Sequence, residues 1–187
     1  MKIKYLIIVL FFFIQGIYFG QNKKEIKKYN IKTVIEYTTD KPEGEASSNK
    51  EITRFDKSGN IVSNEEYDEN GNLDKKECFK YNKNDDVIEH EIYKSDGTVK
   101  RKILKKYNSS NDKIEEFIFD GNGQQIEKRE ITYNLNGDKF FELIYDFNNS
   151  LHDKILYSYN KFGMNLQKNT FDSKGKLVSR KSYVYEY

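Results

Sequence analysis

The chain has 187 residues with one cysteine, one proline, no tryptophan and two histidines, and a third of it is Asp, Glu, Lys or Arg. One cysteine excludes an internal disulfide framework and a cysteine-clustered metal site. The charge suggests disorder, but disordered chains are poor in aromatics and this one is 15% Tyr and Phe.

Residues 1–20 read as a secretory signal peptide: Lys2 and Lys4 form a positive start, and Tyr5 to Phe19 is apolar except for Gln15 and Gly16. The run is shorter than the roughly 20 residues that span a bilayer, so no transmembrane segment is expected in the mature chain. Export to the periplasm, the cell surface or the medium follows. Removing Lys2 and Lys4 leaves 30 cationic and 30 anionic side chains, a formal net charge of zero. Residues 21–50 form a lead-in. It holds a short helix over 23–29, an alternating strand over Ile31–Tyr37 and a flexible loop from Lys41 to Lys50. Its expected role is to cap the first open edge of a sheet.

Residues 51–187 form the third region, and it repeats. Aromatics stand at Phe55, Tyr67, Tyr81, Tyr93, Tyr107, Phe119, Tyr133, Tyr145, Tyr159 and Phe171, with intervals that alternate strictly between 12 and 14. Five units of 26 residues tile 55–184 without a gap. The residue after each aromatic is Asp or Asn, Lys94 excepted. The fourth residue after it is always Gly, Asn or Asp, the types that best tolerate a left-handed backbone. This is a type I turn followed by a left-handed residue in a bulge. Segments of seven and nine residues alternate between the loops, which predicts an all-β, elongated antiparallel meander of about ten strands, single-layered or curled.

Because 12 and 14 are both even and strand side chains alternate, every repeat aromatic is expected on one face. Of twenty aromatics after residue 50, only Phe140 and Phe162 are even-numbered. The aromatic should sit opposite the residue six positions later. Pairing outward from there sets Glu65 against Lys75, Glu91 against Arg101, Lys105 against Glu115 and Glu115 against Arg129.

Tyr67-Asp68-Glu69-Asn70-Gly71-Asn72-Leu73 and Phe171-Asp172-Ser173-Lys174-Gly175-Lys176-Leu177 resemble the Tyr-Asp repeat of the RHS/YD-repeat family. The resemblance implies a secreted or surface protein built as a spiralling β-sheet. The period departs from that family's longer repeat, and five units are too few to enclose a cargo domain.

Little in the repeat region points to chemistry. His90 and His152 occupy different places in the repeat and have no ligand partners at suitable spacing, so no metal or cofactor is called for. Cys78 reads as a small buried hydrophobe. The basic run Val99–Lys106 should be balanced by Glu89, Glu91, Glu115 and Glu116 on neighbouring strands, which argues against nucleic acid. The expected function is a non-enzymatic structural or protein-interaction module, its partner another protein or a second copy joined through open sheet edges. The alternative is a glycan or lipid bound on the aromatic face by Tyr67, Tyr81, Tyr93, Tyr107, Tyr133, Tyr145 and Tyr159, residues that serve equally to brace adjacent strands.

Overall fold

A computed structural model describes residues 19–38 and 49–186. The apolar run of the expected signal peptide, Phe19 excepted, and most of the expected Lys41–Lys50 loop lie outside the described residues. One helix, α1 (Phe19–Tyr29), precedes twelve strands. These are β1 (Thr33–Thr38), β2 (Asn49–Phe55), β3 (Ile61–Tyr67), β4 (Leu73–Tyr81), β5 (Val87–Tyr93), β6 (Val99–Tyr107), β7 (Lys113–Asp120), β8 (Gln125–Tyr133), β9 (Lys139–Tyr145), β10 (Leu151–Tyr159), β11 (Asn165–Asp172) and β12 (Leu177–Ser182). They form one unclosed antiparallel sheet in chain order.

The loops have the anticipated chemistry. All ten left-handed positions (Gly59, Gly71, Asp85, Gly97, Asn111, Gly123, Gly137, Asn149, Gly163 and Gly175) have positive φ, between 60° and 84°. In each loop the amide at that position donates to the carbonyl three residues back, closing the turn, as from Gly71 to Asp68 at 3.0 Å. The Asp or Asn side chain holds the turn from inside: Asp68 Oδ1 accepts the amides of Asn70 and Asn72 at 2.9 and 2.8 Å. Where Lys94 replaces it, Asp96 accepts the Thr98 amide and hydroxyl instead, at 2.8 and 2.6 Å.

Each repeat aromatic pairs with the residue six positions later, from Phe55 with Ile61 to Phe171 with Leu177. One residue further out, every hairpin contains a second bulge. Tyr67 pairs with Leu73 but Glu66 pairs with Lys75, so Asp74 is left without an opposite number. The same extra residue recurs at Val62, Ile88, Lys100, Ile114, Ile126, Phe140, His152, Leu166 and Val178. A bulge of this kind inserts one residue into one strand only, so odd positions of one strand share a face with even positions of the next.

This overturns the single aromatic face. Tyr67, Tyr93, Phe119, Tyr145 and Phe171 lie on one face, and Tyr81, Tyr107, Tyr133 and Tyr159 on the other. It also moves each expected ion pair by one residue. Glu65 opposes Lys76 rather than Lys75, and Glu91 opposes Lys102 rather than Arg101. Lys105 opposes Glu116, and Glu115 opposes Glu130 rather than Arg129.

The sheet is a single layer, so its core is thin. Among the described residues, only Ile26, Ile118, Ile131 and Ile155 are buried apolar residues, alongside the buried polar side chains of Asn60, Glu65, Glu116 and Glu142. α1 lies over two loops rather than over the sheet edge. Ile26 packs against the 56–60 loop, where a Cβ on Gly59 would stand 2.9 Å from the Lys23 carbonyl. Lys23 reaches Asp85 in the 82–86 loop, the next one at the same end of the sheet, at 3.2 Å, and Asp85 also accepts Asn60 Nδ2 at 2.7 Å. The helix ends on Asn30 at φ 51°, with the Ile31 and Asn30 amides donating to the carbonyls of Ile26 and Lys27. That is a left-handed C-cap. The edge position expected for the lead-in is taken by β1 itself, which pairs with β2.

Candidate functional site

The seven tyrosines expected to form a binding face are divided into two sets with different partners. Tyr81, Tyr107 and Tyr133 end nine-residue strands, and each hydroxyl donates to a backbone carbonyl twenty residues earlier. The acceptors are Ile61, Val87 and Lys113, at 2.6, 2.8 and 2.9 Å. Tyr159 contacts the Lys139 backbone in the same relation, and Tyr185 continues the series to the Asn165 carbonyl at 2.8 Å. Burial pushes the Tyr81 phenol up to about 12. These rings brace each nine-residue strand against its neighbour.

Tyr67, Tyr93 and Tyr145 lie on the opposite face and donate to glutamates: Glu65 at 3.0 Å, Glu91 at 2.6 Å and Glu130 at 3.0 Å. The hydrogen bond to the Glu91 carboxylate, with burial, raises the Tyr93 phenol. Each ring also receives a lysine from the paired strand. Lys50 lies 4.2 Å from the Tyr67 centroid, Lys76 5.5 Å from Tyr93 and Lys128 5.6 Å from Tyr145. Register gives the same partners at Lys102 with Phe119 and Lys154 with Phe171. Lys50, Lys76, Lys102, Lys128, Lys154 and Arg180 are each 26 residues apart. One face thus carries a stripe of cation–aromatic pairs running the length of the sheet. The signal was present in the sequence as a basic residue 17 positions before each alternate aromatic. The wrong face assignment hid it.

Carboxylates knit this stripe together. Glu65 holds Arg54 at 2.9 Å and Lys76 at 3.3 Å. Burial raises its pKa, but the hydrogen bonds from Arg54, Tyr67 and Lys76 outweigh burial and hold it below the ordinary range. The basic run of β6 is balanced as expected. Lys102 meets Glu89 and Glu91 at 3.1 Å each, and Lys106 meets Glu115 at 2.7 Å.

The other face holds the most buried polar cluster, which the sequence did not reveal. Glu116 accepts Lys113 at 2.6 Å, and Arg129 reaches Glu142 at 3.4 Å. Tyr157 donates to Glu142 at 3.1 Å. Ile131 and Ile155 lie opposite Glu142 on the two flanking strands. Burial favours the neutral form of Glu116, yet the cations of Lys113 and Arg129 leave its pKa lowered.

His90 stacks on Phe79 with centroids 4.5 Å apart, and its Nε2 stands 3.6 Å from Glu77. Burial lowers its pKa. Cys78 is half-buried on the stripe face between Ser63 and Glu91, and burial raises its thiol. His152 is the extra residue of a bulge beside Asp153. The two histidines remain apart, each with a local role.

No family model matches the chain, and no curated protein does. Among solved structures it is similar to a porin-like protein from Bacteroides uniformis, at 10% identity and a TM-score of 0.40 over 75% of this chain. It is similar also to TarM, at 13% identity and a TM-score of 0.28 over 85% of the chain. A third is TcdB2-TccC3, at 9% identity and a TM-score of 0.30 over 75%. This chain spans 55% of the first of these, 23% of the second and 10% of the third.

Proposed function

We propose that this chain is an exported, non-enzymatic β-repeat protein acting as a structural or protein-interaction module at a bacterial surface or in the periplasm. One observation carries the reading. The repeat runs through ten successive half-units without interruption, and its distinctive residues are engaged within the sheet itself. The left-handed residues make turns, the Asp and Asn side chains hold those turns, and the tyrosine hydroxyls bond neighbouring carbonyls or glutamates. A site evolved for catalysis would be expected to break such a series at some unit. The positive, then apolar start of the sequence and its YD-like repeats support export.

The test is fractionation of cells expressing the full chain, with N-terminal sequencing of the product. A chain beginning near Gln21 and found outside the cytoplasm is the expected result. An unprocessed chain retained in the cytoplasm would overturn the reading.

A further inference from the structure

Both lateral edges of the sheet are open among the described residues: β1 bonds only β2, and β12 only β11. Every residue of both strands is exposed. β1 presents Val34, Ile35 and Tyr37 at 40, 46 and 65% exposure, with Glu36 as its single charge. β12 presents Leu177 and Val178 followed by Arg180 and Lys181. Natural sheets protect edges with prolines, charged side chains, bulges or covering segments; β12 carries Arg180, Lys181 and the Val178 bulge, whereas β1 carries Glu36 alone. Neither strand contains a proline.

Direction, face and charge all fit these two edges to each other. Twelve strands alternate in direction, so β1 of a second copy laid against β12 would be antiparallel to it, like every neighbouring pair in the sheet. Arg180 is the sixth cation of the stripe, opposite Asn169 on β11. Each of the first five cations has an aromatic opposite it on the strand that follows, at Tyr67, Tyr93, Phe119, Tyr145 and Phe171. On the outer side of Arg180 that place is open. Tyr37 lies on the stripe face, opposite Lys50. Setting Tyr37 of a second copy opposite Arg180 continues the stripe and leaves the ring between Arg180 and its own Lys50. Phe117 already sits between two cations in this way, with Lys106 and Lys128 at 4.9 and 5.8 Å. The same register sets Lys181 opposite Glu36. By contrast, two β12 edges placed together would bring Arg180 and Lys181 against their own copies.

We propose that this chain associates with itself head to tail, β12 of one copy adding to β1 of the next to extend one antiparallel sheet. Main-chain hydrogen bonds provide the adhesion in strand addition of this kind. Such a heterologous contact joins two different surfaces, so each added copy leaves one edge of each kind free and assembly continues past the dimer, as a filament or, where the rotation closes, a ring. The inference rests on the interaction-module reading and names its partner as a second copy.

Sedimentation of the purified full chain over a wide concentration range tests it, using two exposed-edge variants whose folding is verified by circular dichroism. Glu36→Lys with Tyr37→Lys sets two cations against Arg180 and Lys181. Arg180→Glu with Lys181→Glu sets two acids against the β1 edge. The wild type should rise with concentration beyond twice its monomer mass, each variant alone should stay monomeric, and mixing the two variants should restore assembly through complementary junctions. A wild type that remains monomeric or stops at a dimer, or a variant that assembles alone, would overturn the proposal. A monomeric wild type that is nevertheless exported leaves the module reading standing, whereas a chain kept in the cytoplasm defeats that reading and not this one.

Discussion

At the scale of single residues, the left-handed turn positions separate backbone strain from contact. A Cβ added at Gly97 would meet nothing within 4 Å, and its φ is 80°. Gly97→Ala should therefore cost only the left-handed penalty, about 1–2 kcal/mol. Asn149 holds the same conformation at φ 60° with a side chain, so Asn149→Gly should raise stability by a few tenths to about 1 kcal/mol. Urea unfolding of the two variants beside the wild type measures both shifts, and their opposite signs are the informative result. The turn carboxylates give a pH effect. The Asn72 side chain first, then the Asn72 and Asn70 amides, hold the Asp68 pKa below the ordinary aspartate range. A lowered folded pKa means that the stabilisation is present above the unfolded value and is lost as pH falls through the folded one. Asp68→Asn should keep the turn, as Asn82 does in its own loop, and should flatten the acid limb of thermal melts followed by circular dichroism. An unchanged acid limb would show that this carboxylate has no such role.

At the scale of elements, the hairpins show what a sequence of this kind discloses and what it conceals. A left-handed residue restricts identity to Gly, Asn or Asp, so the turns were legible at all ten positions. The second bulge makes no such demand. Its extra residue is apolar at seven of the ten positions and is Asp74, Lys100 or His152 at the others, and since apolar residues recur throughout the strands, identity does not single it out. A single inserted residue reverses every side chain beyond it, which explains why strand number and loop register were legible while the faces were not. The buried Glu116–Arg129–Glu142 cluster was hidden for the same reason. Arg129→Met should leave Glu142 without its cation on the most buried part of that face, costing about 2 kcal/mol. Chemical unfolding checks this, and Glu142→Gln in the same background should recover part of the loss. α1 behaves as a separate small element. Ile26 is a buried apolar anchor of this helix, and Ile26→Ala should cost about 2–4 kcal/mol locally. Hydrogen exchange should then rise in residues 23–31 and in the 56–60 loop while β5–β10 stay protected.

For the whole molecule, the two faces are preserved only when half-units are removed in pairs. Deleting residues 82–107 takes out one complete unit of 26 and joins Tyr81 to Asn108. Faces and stripe then continue across the junction, and the shortened sheet should fold with a modest loss of stability, as in other linear repeats. Deleting only 82–93 joins two nine-residue strands, and every strand beyond the junction turns its stripe cations to the opposite face. That variant should be markedly less stable in urea although it loses fewer residues. Equal stability of the two would refute the dependence on faces.

The chain-order topology also fixes how the protein meets mechanical load. Every strand bonds only to its neighbours in sequence, and β1 and β12 lie at opposite edges. The distance across eleven strand spacings is about 50 Å. Tension between the two edge strands acts along the inter-strand hydrogen bonds, so it peels one ladder at a time instead of shearing several together. A pulled molecule should lengthen in small, similar steps at low force and recover by re-forming adjacent hairpins. It would act as an extensible tether rather than a rigid strut.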